Sequence, residues 1–484
     1  MDPWARIAEL DAELAGRDKV IAELRAELAT KDARIQRLEQ QVAMLVERLG
    51  RNSGNSNLPP SSDPPGARSG GKAKRTKGER RRGGQIGHRG VRRELLPRDR
   101  VDDVVDFYPT QCEHCCARLP EIPDLLAKRY QVTELPAFEP HTTEYRRHSV
   151  QCSRCRCRTL APYDADKIPI SPFGPRLMSA MALLTGVYHL SRRRAVDLLT
   201  DLVGVRVSLG AVSAVEARVS EAVVPAVAEA CEQVANAPVK HTDGTTWLQR
   251  GVVLSLWTVA TTVATVFKIV ANGRADTLKP LYGELRGILV SDRATALGFW
   301  AMERRQICWA HLLRKFVSFE ERARPAGDFG HKLLEYTGIL FDYWNDYRSG
   351  NLARDAFRAW MAPVRQQVEA LLERAVAADI DGLSGSCADI LAHRAALWTF
   401  VERDGVEPTN NHAERELRAF VLWRKRSFGT QSERGNRFAE RLMTVAHTAR
   451  KRGTNVLEFL TACCIAHLEH GKAPSLFASE LAAA

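Results

Sequence analysis

The chain has 484 residues, 45% of them apolar, and 70 Lys plus Arg against 58 Asp plus Glu, a net charge of +12. That composition provides for several cores and favours a polyanionic partner such as nucleic acid, a merely basic protein being the plainer reading until the charge is seen to cluster. Eleven cysteines, an odd and sparse set, exclude a disulfide scaffold and fit a reducing compartment. The N-terminus lacks a basic-then-apolar leader, and the longest uncharged stretch, Gly251 to Phe267, carries five Ser or Thr and is too short to span a bilayer, so a cytoplasmic protein without a membrane partner is expected.

In chain order, a helix comes first. Ile7, Leu14, Ile21, Leu28, Ile35, Val42 and Leu49 recur at heptad spacing, with Leu10, Leu24, Leu38 and Leu45 in the second register. This predicts a coiled coil over 1–50 and a homo-oligomer, the alternative being one amphipathic helix packed on its own protein. Arg17 and Lys31 interrupt the second register. Residues 51–100 are expected to be a linker: a Ser, Asn, Pro and Gly stretch, then a basic run of Arg68, Lys72, Lys74, Arg75, Lys77, Arg80, Arg81, Arg82, Arg89, Arg92 and Arg93. Such a run neutralises phosphates without choosing a sequence.

A zinc-binding unit is expected over 101–170. Cys112-x-x-Cys115 and Cys152-x-x-Cys155 have the spacing with which four thiolates share one tetrahedral structural Zn²⁺. Cys116, Cys157 and His114 are alternative ligands, and free thiols in a small β-rich domain are the other reading. Residues 171–235 read as helices over Pro175 to Leu190, Arg192 to Leu202 and Leu209 to Val223, with Ser191 and Ser208 where N-caps belong. The last two form either a helix-turn-helix-like DNA-binding unit or an ordinary supporting hairpin.

Residues 236–320 carry the candidate chemistry. Asp243 opens a β-rich run through Val252 to Val259 and Val263 to Val270; a helix, Ala275 to Leu285, and a short apolar strand, Gly287 to Ser291, then deliver Asp292. Three strands, a helix and a fourth strand, with acids on the first and fourth, is the order of an α/β ribonuclease H-like fold, in which Asp243 and Asp292 meet at neighbouring strand ends. Two Mg²⁺ or Mn²⁺ ions clamping a phosphodiester need such converging carboxylates. A third acid, Glu414, lies in the first turns of a helix that Thr409 or Asn410 can cap, within 406–470; Glu416 points to another side of that helix. Between these core parts lies an α-helical insertion, 321–405, whose Phe341, Trp344, Phe357 and Trp360 read as core rather than as a base-stacking platform. Residues 471–484 form a tail.

The chain resembles the transposases of insertion sequence family 66. The likeness lies in the heptad helix followed by Asn52 to Asp63, the Gly83 to Gly90 segment, the paired cysteine knuckles, Cys308-Trp309-Ala310-His311-Leu312-Leu313-Arg314-Lys315-Phe316, and Asn410-Asn411-His412-Ala413-Glu414-Arg415. It implies that Asp243, Asp292 and Glu414 are a metal-binding DDE triad for cleavage and strand transfer at element ends and target DNA. It further implies a bacterial, nucleoid-associated protein that works with small accessory transposition proteins. His311 is either a substrate contact or a packing residue. Arg415 and Arg418 are candidate phosphate or acid partners, and Arg424, Lys425 and Arg426 either grip the cut strand or form a solvated basic patch. Two rival readings are a ribonuclease H-like nuclease that does not join strands and a catalytically silent zinc-containing DNA-binding protein.

Overall fold

The computed structural model describes residues 3–50, 94–124, 126–164, 168–283, 285–478, with some α1 side chains left aside. The Ser/Pro-rich stretch and the basic run lie outside the described residues. The chain forms two compact units, one from Met1–Gly71, Asp164–Val196 and Ser208–Ala484, the other from Lys72–Tyr163 and Asp197–Val207.

A single helix, α1 (Pro3–Gly50), carries the heptads. Leu14, Ile21, Leu24, Leu28, Ile35, Leu38, Val42 and Leu49 are all exposed along it.

The second unit contains a strand pair, β1 (Ser149–Gln151) and β2 (Arg158–Leu160). Its two cysteine knuckles are built alike. Gln111 bridges Arg118 across the first as Gln151 pairs with Arg158 across the second. The Cys112 N–H donates to Ala117 O at 2.9 Å and the Cys152 N–H to Cys157 O at 2.8 Å. Cys116 and Arg156, each four residues past the first cysteine, take φ of 56° and 62°. Side chains rarely adopt this left-handed turn, and the same one is made twice.

In the first unit, α2 (Pro175–Ala182) passes into a π-helical turn, Leu183–Val187, so the expected continuous helix to Leu190 is interrupted. The helix α3 (Arg192–Val203) follows, its residues from Asp197 on belonging to the second unit, then α4 (Leu209–Ala222), capped by Ser208 Oγ on the Ala211 N–H, and α5 (Val224–Asn236). The α4 helix packs on α2 and buries Val212, Val215 and Val219.

The sheet comprises β3 (Val239–Gln249), β4 (Val252–Ala260), β5 (Thr265–Val270), β6 (Ile288–Ser291), which follows α6 (Ala275–Tyr282), and β7 (Arg305–Ile307). Its order is β5-β4-β3-β6-β7; β3, β4 and β5 form an antiparallel meander, and β6 and β7 run parallel to β3. The two-residue period of the strands sorts the core. Trp257, Val259, Val266 and Leu289 pack with α5 and α6 residues, whereas Trp247, Leu256 and Phe267 pack with the C-terminal helices. Entry into β6 requires Gly287: at its φ of +83°, a Cβ would sit 2.3 Å from Pro238 O.

After β7 come α7 (Trp309–Glu320), α8 (Ala326–Arg348), α9 (Arg354–Ala377), α10 (Ser384–Ala392), α11 (Arg394–Leu397) and α12 (Thr399–Glu402). These share one core, in which Trp344 and Phe357 are buried and Phe341 is packed at the margin. Trp360 remains 48% exposed, against Tyr343. The chain then returns to the sheet as α13 (Asn411–Ser427), α14 (Glu433–Lys451) and α15 (Val456–Leu468). The fold is therefore mixed α/β. Among the described residues no helix is long and apolar enough to cross a membrane.

Candidate active site

The parallel pairing of β3 with β6 ends at His241 opposite Val290. Two residues further along each chain stand Asp243 and Asp292, which the register therefore brings level. Asp243 is not at a strand end, as the sequence suggested, but within an eleven-residue strand that continues against β4. It is β6 that stops, at Ser291, so the neighbouring acid emerges where the parallel ladder runs out. Gly244 helps make room: a Cβ there would lie 2.8 Å from the Trp257 ring.

Each aspartate is held by its own turn of backbone. Asp243 Oδ1 accepts the Gly244 N–H at 2.8 Å, and Asp292 Oδ1 accepts the Ala294 N–H at 3.0 Å. Burial pushes the Asp243 carboxyl up to about 7, helped by the charges of Asp292 and Glu414 and opposed by the Gly244 N–H and Arg314. Asp243 thus feels the charges of both Asp292 and Glu414, a surrounding that favours the neutral carboxyl or a bound cation.

Glu414 reaches the site from the first turn of α13. Its Oε1 lies 3.7 Å from His311 Nδ1 and 3.5 Å from an Arg314 guanidinium nitrogen, ion-pair distances too long for hydrogen bonds. Glu414 Oε1 and His311 Nδ1 are both buried without a hydrogen-bond partner. His311 is pulled below its ordinary pKa by burial and by Arg314, against the opposing charges of Glu414 and Asp292.

Two residues join these pieces. Cys308 donates its N–H to Ser291 O at 2.8 Å, while its buried Sγ accepts the Asn410 N–H at 3.1 Å. Burial pushes the Cys308 thiol up to about 11. Asn410, fully buried, does not cap α13 with its side chain: its Nδ2 instead donates to Thr242 O, one residue before Asp243, at 2.7 Å. The start of α13 is thereby tied to both aspartate strands.

Of the expected phosphate contacts, Arg415, Arg418, Lys425 and Arg426 are exposed on α13. Arg424 is turned back on the sheet, donating to Thr245 Oγ1 at 3.3 Å and closely to the carbonyl and hydroxyl of Thr246. It fastens α13 to β3. Sequence reasoning passed over Arg314 and Arg305. Arg314 was legible, since Cys308, His311 and Arg314 recur at three-residue spacing and share one face of a helix start. Arg305 had no such signal: it is buried in a three-residue strand, donating to Asp292 O at 3.1 Å and Ser291 Oγ at 3.2 Å.

The model of the transposase IS66 family matches residues 171–438, more than half of the chain. The chain belongs to the IS66 family of transposases. The match spans β3 to α13, so all three acids, Cys308 and His311 of this transposase lie within it. A second model, of a family of unknown function (DUF6444), matches residues 7–94. No curated protein matches the chain. Family membership gives this transposase a role in transposition and DNA as its partner.

The cysteines Cys112, Cys115, Cys152 and Cys155 belong to the other unit. Cys112 and Cys152 are each drawn below the ordinary thiol pKa by backbone N–H groups of their own knuckle, from Cys115 and His114 in one and from Cys155 and Arg154 in the other. Among the described residues, the group of three or more ligand atoms all within 4.8 Å of one another is that of Cys308, His311 and Glu414; the knuckle sulfurs do not form one.

Proposed function

We propose that this transposase cleaves and joins DNA at the ends of its element with Asp243, Asp292 and Glu414 as a DDE triad. The observation that carries the reading is the strand register, which levels Asp243 with Asp292 while Asn410 ties the Glu414 helix to the same strand. The antiparallel meander followed by two parallel strands, in the order β5-β4-β3-β6-β7, supports a ribonuclease H-like core. The donor set is all oxygen, as Mg²⁺ or Mn²⁺ prefers: burial and the charges of Asp292 and Glu414 push the Asp243 carboxyl up, and Glu414 Oε1 is buried without a hydrogen bond. Asp243, Asp292 and Glu414 would hold the ions. Such ions would supply activation of water or a 3′-hydroxyl and offset charge on the scissile phosphate.

The residues around the triad position these groups. Arg305 holds the Asp292 carbonyl from beneath, and Arg314 faces Glu414. His311, beside Glu414, would contact a scissile phosphate or flanking base, and exposed Arg415, Arg418 and Lys425 would offer phosphate contacts along α13. The repeated knuckles, whose N–H groups favour thiolate, support a structural Zn²⁺ on Cys112, Cys115, Cys152 and Cys155. The exposed apolar seam of α1 supports pairing of two copies. Small accessory transposition proteins would complete the system.

The test is incubation of the full chain, with those accessory proteins, on labelled DNA carrying the element's ends, with Mg²⁺ or Mn²⁺, beside Asp292→Asn. Nicks and strand-transfer products that need metal and vanish in the variant are expected. Cutting without joining would favour a nuclease, and tight binding with neither product a silent DNA-binding protein.

A further inference from the structure

We propose that Cys308, His311 and Glu414 form a second metal site, selective for Zn²⁺, and that an ion seated there draws Glu414 away from Asp243 and Asp292 and halts DNA cleavage. The binding half stands on these three side chains alone. The inhibitory half rests on Glu414 belonging to the catalytic set.

The three ligand atoms lie within 4.8 Å of one another. Bonds of about 2.0–2.3 Å around a tetrahedral zinc put ligand atoms about 3.3–3.8 Å apart. The pair His311 Nδ1 and Glu414 Oε1, at 3.7 Å, already has that separation. Both atoms are buried with no hydrogen bond, so neither has a protein partner to give up before it binds an ion. Cys308 adds sulfur at the start of the same helix as His311, where it accepts the Asn410 N–H at 3.1 Å.

A mixed N, S and O set suits zinc and not magnesium, which takes oxygen and discriminates against thiolate. Binding forms a zinc–sulfur bond and sends the Cys308 thiol proton to solvent. Glu414 is 32% exposed, so the open side admits the ion and leaves the fourth position to water. Arg314, 3.5 Å from the same oxygen, opposes a cation, so this site holds zinc more weakly than four cysteines would and loses it first to a chelator.

The full chain, stripped of metal and reloaded with Zn²⁺ or with Co²⁺ as a visible surrogate, tests the site. Compared with the parent chain, Cys308→Ser and His311→Gln each lose one zinc per chain, and Cys308→Ser also loses the part of the thiolate-to-cobalt absorption due to one sulfur. Cys112→Ser leaves that part in place. An unchanged zinc count in both variants, each with parental thermal unfolding, overturns the site. For the switch, Zn²⁺ added to Mg²⁺-driven cleavage slows the parent at least tenfold at concentrations that change Cys308→Ser less than twofold relative to its own zinc-free rate. Loss of the ion without relief of inhibition overturns the switch. The Asp292→Asn chain separates the two readings: it retains the zinc of this site, and if it also still cleaves, the triad assignment fails while the metal site stands.

Discussion

Glu414 and Glu416 sit two residues apart on one helix and live in opposite electrostatic surroundings. Glu416 faces α14: its carboxylate lies 3.0 Å from Lys451 Nζ, closer still to His447 Nδ1, and 3.7 Å from His412 Nε2. Burial alone would raise it, but the His447 hydrogen bond and the Lys451 charge hold it down to about 2. Glu414 faces the aspartates with only long ion-pair contacts and a bare buried oxygen. An acid whose charge is fully answered by its neighbours builds structure, whereas one set among other acids remains available to a cation.

Substitutions at the two positions test that contrast. Glu414→Gln is expected to lower strand cleavage by roughly a thousandfold, the scale on which removal of one group aimed at the reacting centre acts. Its metal-free thermal unfolding should match or exceed that of the parent, because one repelling charge is gone. Glu416→Gln should do the reverse. It strands Lys451 and His447 and costs about 3 kcal/mol in urea unfolding, while the rate per folded molecule stays within a few-fold. An inactive but stable Glu416→Gln beside an active Glu414→Gln would exchange their roles.

Asn410→Ala sharpens the comparison at the junction of the two. Loss of the bond to Thr242 O should lower stability by about 1–2 kcal/mol. Cleavage should fall by roughly ten- to a hundredfold, because Glu414 loses its tie to the aspartate strand. A rate loss no greater than the fraction unfolded would make Asn410 purely structural.

The smallest effects are in pH, with opposite signs. Asp243, raised from 3.8 to about 7, contributes stability that is full below pH 3.8 and lost as pH rises through about 7. Glu416, lowered from 4.5 to about 2, contributes stability present above pH 4.5 and lost as pH falls towards 2. Metal-free melting should therefore decline by a few degrees between pH 4 and 7, a decline that Asp243→Asn removes and that Mg²⁺ reverses. A melting temperature flat across that range, in both parent and variant, would mean the three acids do not interact.

Much of this was legible in the chain itself. Heptad spacing in α1, serines ahead of α3 and α4, the alternation of β4 and β5, and the acids after β3 opens and β6 ends are all local patterns, governed by helix and strand periods and by caps. The aromatic positions Trp344 and Phe357 likewise read as core, and both are buried. The π-helical turn after Ala182 and the true position of Asp243 within its strand were not legible, because packing and neighbouring strands decide them.

The sequence by itself determined which groups exist and at what helical or strand spacing: three acids, a Cys-x-x-His, two knuckles and a basic excess. Only the tertiary structure decided which of them meet. It set Asp243 beside Asp292 by ending β6 early, sent Asn410 to the sheet instead of to its own helix, and turned Arg424 inward to β3. It also buried Arg305 beneath Asp292 and gave Cys308 and His311 a common neighbour in Glu414. Most of these contacts join different elements far apart in the chain, and a hydrogen bond or ion pair depends on distances of a few tenths of an ångström that no local period encodes.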